Sequence, residues 1–419
     1  MNSGMEHVSS GNIQKTHASR RRFLLRFRVE DVFFILCLIF CVYPMGYGSF
    51  VPALGRIYMY GKYAVIAVIA LMIVLRKYQP SFMALMLVTF DAYLLVTTVA
   101  FGGNLNRWAQ FALYRIALVC VVDYMFSKRP TFALGSLSVV CLVHLALNAV
   151  LGSAGTTSLN VDNAMYWLGI RVRIAGYALP AMAFALLFFI YSRTSKWIKL
   201  PLLVAVYALS IDFFIQRSVS TALVSTSVAL LLLVIFVYHE QVLQKISIIG
   251  FVAIVLLNFG IIFFNVQNMF SWLIEGILGK SLTLTGRIGI WNAVLDNMKG
   301  HYLFGHGVGS GIPFIYEFGE PVTYEHNQLL NVLFSGGIVG LAFFLFILFT
   351  AFSKIQKTNP SPFTYVTVAF LLALCVQMIS EHPYENAFFA VLLLLGYRAG
   401  DIPLPDTQRV FKRLRFSLR

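Results

Sequence analysis

Arginine, histidine, asparagine and glycine are concentrated in one polar stretch of the chain, residues 270–341. The guanidinium group of arginine binds a phosphate through two parallel hydrogen bonds, and a neutral histidine can accept a proton from a hydroxyl group. These residue types together fit an attack on a lipid-linked sugar phosphate at a membrane surface. The runs that carry them are Thr285–Trp291, Gly305–Gly309, Glu325–Asn327 and Gly337–Leu341.

The run after Thr285 predicts a short helix. Thr285 is its expected N-cap, and Arg287, Trp291, Val294 and Met298 follow at spacings that place them on one helical face. A cation in the first turn of a helix opposes the helix dipole. Arg287 is therefore expected to have an anionic partner, and a phosphate suits its planar group.

His326 is the candidate general base. If Thr323 caps the helix that follows, His326 falls in the first turn, where the positive helix end disfavours a protonated imidazole. The alternative is an interfacial histidine that only hydrogen-bonds a carbonyl, and the spacing alone fits both equally. The glycine-rich run Gly305–Gly311 also leaves two possibilities, a turn that shapes the site or a flexible connector.

The amino-acid composition indicates that this stretch lies next to a membrane. Of the 419 residues, 59% are hydrophobic and 12% charged, whereas a soluble domain is about a quarter charged. The chain is therefore predicted to be an all-α polytopic membrane protein with membrane lipids as its surroundings. The net charge of +15 comes from short basic clusters between apolar runs, which is the pattern of topology signals and argues against nucleic-acid binding. No metal or cofactor site is expected.

Twelve apolar runs are long enough, or nearly so, to cross ~30 Å of hydrocarbon. Residues 1–31 form a predicted cytoplasmic tail, 32–265 carry spans one to nine, 266–327 form a long outer loop with short helices, 328–398 carry spans ten to twelve, and 399–419 form a basic cytoplasmic tail. Within the third and fourth spans, Asp91 has Arg115 as a candidate partner. The predicted spans are 32–50, 63–75, 82–100, 109–126, 131–151, 174–192, 198–215, 218–238, 246–265, 328–352, 363–380 and 385–398.

The distribution of basic residues gives the orientation. With a cytoplasmic N-terminus, most of the 32 Lys and Arg residues lie on the cytoplasmic side, as the positive-inside rule requires. The outer side then contains the loop 266–327, the loop 152–173 and the turns 216–218 and 381–385. Arginine is ordinarily sparse on this side, yet four arginines lie in these loops and turns. They are held for an anionic ligand, or they snorkel to the interface or pair with acidic residues. The arginines are Arg171, Arg173, Arg217 and Arg287, and the candidate acids are Asp162, Asp212, Glu317 and Glu385.

The order and spacing of these runs resemble the signature of the O-antigen ligase and polymerase superfamily, which are bacterial inner-membrane glycosyltransferases. The resemblance implies that Arg217, Arg287 and His326 are catalytic, and that Arg173 matches a further family arginine less closely. In this chain Gln216 stands before Arg217 where many members have serine. Further candidate substrate-binding residues are Arg171, Tyr324, Asn327 and His382.

Such proteins transfer a glycan from undecaprenyl diphosphate to an acceptor on the periplasmic side, and the acceptor of the ligase branch is the lipid A–core oligosaccharide. We expect an inverting displacement without a metal, in which arginines stabilise the leaving diphosphate. An O-antigen polymerase, which joins lipid-linked repeat units, is the nearest alternative. A secondary transporter is a different class that twelve spans would also allow, but no internal repeat is evident.

Overall fold

The computed structural model describes residues 28–154, 164–270, 286–314 and 322–401, together with positions 272 and 276. This part of the chain is almost entirely helical. Its helices are α1 (Val29–Cys41), α2 (Tyr47–Phe50), α3 (Leu54–Val74), α4 (Phe82–Ala100), α5 (Leu105–Lys128), α6 (Pro130–Leu151), α7 (Ala175–Tyr191), α8 (Lys196–Gln216), α9 (Ser220–Tyr238), α10 (Glu240–Phe264), α11 (Arg287–Asn297), α12 (Gln328–Lys357), α13 (Pro362–Gln377) and α14 (Ala387–Tyr397). A small antiparallel sheet, β1 (Ser153–Ala154), β2 (Met165–Tyr166) and β3 (Gly169–Ile170), precedes α7.

Within the described ranges, nine helices are long and apolar enough to cross a membrane, namely α3 to α10 and α12. Helices α13 and α14 are shorter apolar helices, and α1 has 13 residues. Every predicted apolar run overlaps a helix, but the first run, 32–50, is divided between α1 and α2. The prediction of an all-α polytopic membrane protein is confirmed. The number of twelve crossings stays a prediction. Most of 271–285, within the predicted outer loop, lies outside the described residues.

The second predicted span starts too late, because helix α3 begins at Leu54 and not near residue 63. Lys62 interrupted the apolar run in the sequence. In the structure Lys62 is buried, donates a hydrogen bond to the carbonyl of Ala109 at 3.2 Å and lies 4.5 Å from the ring centroid of Tyr114. Its charge is therefore accommodated against α5, and the helix continues through it.

The two shortest apolar helices lie at the centre of the molecule. Helix α13 packs against α7, α9, α10 and α14, and α14 packs against α5, α7 and α12. Nearly all their residues are buried, as expected for helices that are apolar on every side. The turn between them, residues 378–386, is consequently held at the core of the bundle end.

The predicted pair Asp91–Arg115 is present and ties this turn to two further helices. Arg115 forms a buried ion pair with Asp91 and donates a second hydrogen bond, at 2.9 Å, to the carbonyl of Tyr384. The Arg115 guanidinium also lies 4.2 Å from the centroid of the Tyr384 ring. Helices α4 and α5 are thereby fixed to the residues that connect α13 to α14.

Helix α12 is broken at Gly337, where φ is 65° and ψ is −167°. Only glycine adopts this conformation readily. On the N-terminal side of the break, the freed carbonyls of Phe334 and Ser335 accept hydrogen bonds from the amides of His306 and Gly307, at 2.7 and 3.0 Å. The glycine-rich run 305–311 is therefore bonded to the backbone of α12.

The C-terminal side of the break is satisfied in the same way. The amides of Ile338 and Val339 donate to the carbonyls of Tyr302 and Leu303 at 2.8 and 3.3 Å. The Tyr93 hydroxyl from α4 adds a bond on the N-terminal side, to the carbonyl of Gly336 at 2.5 Å. A helix can be broken inside an apolar environment only if such partners replace its own hydrogen bonds. Glycine is therefore required at position 337 because the helix is broken there.

Replacing Gly337 by alanine is expected to lower the thermal unfolding midpoint of the detergent-purified protein. An added Cβ would lie 2.2 Å from the carbonyl oxygen of Leu303, and the backbone strain adds roughly 1–3 kcal/mol. Gly311→Ala is the matched control, because Gly311 also has a positive φ but its added Cβ would meet nothing within 4 Å. Equal midpoints for the two variants would contradict the prediction.

Candidate active site

Glu381, in the turn between α13 and α14, is the buried centre of the candidate site. Its carboxylate accepts a hydrogen bond from Arg287 Nη2 at 2.5 Å and one from the Tyr324 hydroxyl at 3.3 Å. Burial alone would raise the pKa of Glu381, but His326 and the Arg287 guanidinium lower it below its ordinary value. Glu381 is therefore a carboxylate at neutral pH, and it is the anionic partner expected for Arg287.

Arg287 lies in the first turn of α11, as the sequence predicted. It is the first helical residue, because Gly286 occupies the N-cap position, and no side chain caps the helix. The predicted cap, Thr285, lies outside the described residues. The predicted face is correct, because Trp291, Val294 and Met298 are buried. The Trp291 indole donates a hydrogen bond to the carbonyl of Glu325 at 2.9 Å, so this face holds the segment that leads to His326.

The predicted cap of the helix after His326 is wrong. Asn327 is the N-cap of α12, since its side-chain oxygen accepts hydrogen bonds from the amides of Leu329 and Leu330 at 2.9 and 3.1 Å. Asparagine is at least as good a cap as threonine, and it stands four residues later than Thr323. His326 consequently precedes the helix, with a positive φ of 50°, and does not lie in its first turn.

His326 is nevertheless in the environment of a neutral imidazole. Burial lowers its pKa, Glu381 raises it in part, and the Arg287 guanidinium lowers it again, with a net decrease below the ordinary value. Its Nδ1 atom lies 3.9 Å from Glu381 Oε1, and its ring meets the Tyr324 ring edge-on at a centroid distance of 4.4 Å. At 3.9 Å the pair is slightly longer than a hydrogen bond.

A second ion pair lies beside the first. Arg173 Nη1 is 2.9 Å from Glu385 Oε2, and its guanidinium lies 4.5 Å from the centroid of the Tyr324 ring. His382 lies between two carboxylates, with Nδ1 3.6 Å from Glu385 and Nε2 3.6 Å from Glu325. Burial would raise the pKa of Glu385, but Arg173 and His382 lower it to about 2. The sequence named Glu385 as a possible partner of the outer arginines, and Arg173 is the arginine that pairs with it.

Arg217 and Arg171 lie together at the end of α8. Arg171 Nη1 donates to the carbonyl of Arg217 at 3.2 Å, and the Arg217 guanidinium lies 5.3 Å from the centroid of the Tyr166 ring. Arg171 and Arg173 belong to one 3₁₀ turn, Arg171–Arg173. This turn connects the Arg171–Arg217 contact to the ion pair between Arg173 and Glu385. Among the described contacts, none connects Arg217 directly to Arg287 or His326.

Asn327 differs from the other predicted residues, because its polar atoms are already used within the protein. Besides capping α12, its amide nitrogen donates to Asn258 Oδ1 at 2.7 Å and to the carbonyl of Ile379 at 2.9 Å. The side chain is fully buried. These contacts show that Asn327 holds the start of α12 in place. A contact between Asn327 and substrate stays a prediction.

The sequence reasoning underestimated the carboxylates. The sequence indicates them only as candidate partners for the outer arginines, whereas in the structure Glu325 and Glu381 are buried and Glu385 is mostly buried. The sequence of the turn 381–385 could have indicated their burial. Glu381 and Glu385 lie four residues apart between two helices that are too apolar to be exposed to water. Such a turn needs cations nearby, and the outer arginines supply them.

Fold and site together define a polytopic membrane protein with a polar cluster of arginines, histidines and carboxylates at one end of its helices. A family model described as O-antigen ligase matches residues 204–345, which include Arg217, Arg287 and His326. An O-antigen ligase of Pseudomonas aeruginosa is 27% identical over 264 residues, which are 58% of this chain and 62% of that relative. Both matches are to O-antigen ligases, and they agree with the superfamily resemblance that the motifs predicted.

Proposed function

We propose that this protein is an inverting glycosyltransferase that moves O-antigen polysaccharide from undecaprenyl diphosphate to the lipid A–core oligosaccharide. The protein acts from the bacterial inner membrane, with both termini cytoplasmic and the site on the periplasmic face. The observation that carries the proposal is the neutral, largely buried His326 beside Glu381 and Arg287. The two matches to O-antigen ligases support a role in O-antigen and lipopolysaccharide assembly.

His326 acts as the general base of the transfer. Its Nδ1 faces Glu381, which leaves Nε2 to accept the proton of the acceptor hydroxyl. The hydroxyl oxygen forms a bond to the anomeric carbon while the bond from that carbon to the diphosphate oxygen breaks. The electron pair leaves with the diphosphate, and the configuration of the sugar is inverted. Glu381 stabilises the imidazolium that forms.

The arginines stabilise the charge that develops on the diphosphate. A guanidinium has five N–H donors, and Arg287 gives one of them to Glu381. Arg173 Nε is buried without a hydrogen-bond partner among the described residues, so it has a donor left for a phosphate oxygen. Arg217 forms no ion pair with a described carboxylate, and Arg171 lies beside it. The diphosphate is therefore bound on the side of these arginines.

Tyr324 and His382 position these groups. The Tyr324 ring lies under Arg173 and against both histidines, with centroid distances of 4.4 Å to His326 and 4.1 Å to His382. His382 links Glu325 to Glu385. These contacts keep the two ion pairs and the base in one arrangement before substrate arrives, which is what electrostatic catalysis requires.

Purified protein in liposomes with a lipid-diphosphate-linked glycan and rough lipopolysaccharide tests the proposal. Glycan transfer to the lipopolysaccharide supports it, and substrate flux without transfer would establish a transporter instead. The lipopolysaccharide of a deletion strain separates the remaining alternatives. Core without attached polymer indicates a ligase, whereas core that carries one repeat unit indicates a polymerase.

Excess chelator is expected to leave the transfer rate unchanged within about twofold. The diphosphate is a good leaving group, and arginines can supply the positive charge that a divalent ion otherwise contributes. The measurement is the initial rate in the liposome assay with and without chelator, and a chelator saturated with Mg²⁺ is the control. A loss of activity that added Mg²⁺ or Mn²⁺ restores would show that a metal takes part.

A further inference from the structure

A cavity of about 70 Å³ lies next to the candidate site, and Glu325 and Glu385 form part of its wall. Its walls are the start of α5, the glycine-rich run 308–312 and the N-terminal half of α12. Glu385 contributes to the wall of this cavity and is also the ion-pair partner of Arg173, so the cavity and the arginine side share one carboxylate. Polar side chains in its lining include Arg107, Ser310, Thr323, Glu325, Asn331 and Glu385. Arg115 also lines the cavity, but it is already paired with Asp91.

Arg107 is the unusual member of this lining. It is the third residue of α5, after the N-cap Asn104, and a cation in the first turn opposes the helix dipole. Arg115, Arg173 and Arg287 each have a carboxylate partner. Within the described part of the chain no carboxylate forms an ion pair with Arg107, although the side chain is half-buried. Its positive charge nevertheless reaches the cavity, because it helps to lower the pKa of Glu385.

The glycine-rich run fixes Arg107 in place. Gly309 has a φ of 62°, and an added Cβ would lie 2.6 Å from Arg107 Cδ, so the run packs directly on the arginine stem. The Asn104 amide donates to the carbonyl of Val308 at 2.8 Å, and the Val308 amide donates to Thr98 Oγ1 at 3.0 Å. Of the two possibilities that the sequence left open, the structure supports the turn that shapes the site.

We propose that this cavity binds a sugar ring of the acceptor that carries a phosphate or a carboxylate, with Arg107 contacting the anionic group. The inference rests on the proposed function for the identity of the acceptor. Glu325 and Glu385 can accept hydrogen bonds from sugar hydroxyls, and Asn331 and Ser310 supply further polar atoms. The aromatic side chains Phe111 and Phe314, also in the lining, offer apolar faces for the ring.

The same carboxylates argue against the diphosphate as the ligand. Two buried carboxylates in the wall repel a multiply charged diphosphate, whereas a single anionic substituent can be balanced by Arg107. Glu325 directly precedes His326 in the chain. A ring bound in this cavity is therefore adjacent to the proposed base, and the cavity shares Glu385 with the proposed diphosphate side.

Arg107→Ala is expected to raise the KM for rough lipopolysaccharide by about tenfold or more, because a hydrogen bond to a charged group is lost. The KM for the lipid-linked donor and the kcat at saturating acceptor should change less than about twofold. Arg56→Ala is the matched control, since Arg56 lies in the part of α3 that precedes its buried face and is exposed. A second acceptor, dephosphorylated and carboxyl-reduced rough lipopolysaccharide, should show no more than a twofold effect of Arg107→Ala.

Direct binding separates this inference from the proposed function. Purified protein in nanodiscs is titrated with the delipidated core oligosaccharide, before and after removal of its anionic groups, and binding needs no turnover. Weaker binding of the anionic form only, in the Arg107→Ala variant, supports the inference even if transfer is never observed. Equal binding by wild type and variant, or a raised KM for the donor in place of the acceptor, would overturn it while transfer itself stands.

Discussion

Replacing His326 by alanine is expected to reduce the rate of glycan transfer by about 10²–10⁴-fold, which is the usual contribution of a general base. The donor and acceptor KM values should change little, because His326 acts on the proton of the hydroxyl and the arginines bind the diphosphate. The measurement is kcat in the liposome assay with purified variants. His301→Ala is the matched control, since His301 is exposed and lies against His306 outside the cluster.

The pH dependence adds a test of the protonation state. His326 must be neutral to act as a base, and its pKa is lowered from 6.5. The rate of the wild type should therefore be constant from pH 8 down through 6.5 and should fall only at lower pH, as His326 becomes protonated. A His326→Ala variant that retains more than about a third of the wild-type rate would exclude His326 as the base.

Glu381→Gln is expected to lower kcat by about 10²-fold while the protein still folds. The neutral amide keeps the shape of the carboxylate but no longer stabilises the imidazolium or selects the tautomer of His326. Complete removal of the side chain would be worse, because a buried ion pair that loses one partner costs about 3–5 kcal/mol. Asp123→Asn is the control, because it neutralises the buried acid of a different ion pair, that with Arg398, which takes no part in the candidate site.

The sign of the accompanying pH shift distinguishes positioning from a purely structural role. Glu381 raises the pKa of His326 and Arg287 lowers it, so removing the negative charge should lower the pKa of His326 further. The acid limb of the rate profile should move to lower pH, with a lower plateau. A rate that falls equally at every pH, with an unmoved limb, would mean that Glu381 only supports the fold.

The membrane helices were predictable because hydropathy is a local property of the chain. Each apolar run marks a helix, except that the first run is divided between α1 and α2. The error at the start of α3 came from Lys62, whose charge is accommodated by residues of a different helix. The cap of α12 was misplaced for a related reason. Thr323 and Asn327 both have capping side chains, and only the three-dimensional path of the chain decides between them.

The site was predictable in its residue types and less so in its pairings. The need for an anion beside Arg287 could be read from the helix dipole, but its partner Glu381 is 94 residues away in the chain. No spacing rule connects such positions. Arg107 was overlooked, although the argument used for Arg287 applies to it equally, because Asn104 places it in the first turn of α5. The cavity beneath the glycine-rich run could not be predicted, since it depends on the break in α12.

That break divides α12 into two parts with different surroundings. The part before Gly337 carries Gln328 and Asn331, and its carbonyls accept backbone hydrogen bonds from residues 306 and 307. The part after it has exposed apolar side chains such as Ile338 and Phe346, as a lipid-facing helix should. A thinner or thicker bilayer changes the tilt of a membrane helix. Because residues on both sides of Gly337 are hydrogen-bonded to residues 302–307, we expect the site-bearing part to keep its position in membranes of different thickness, while the lipid-facing end of α12 changes its tilt.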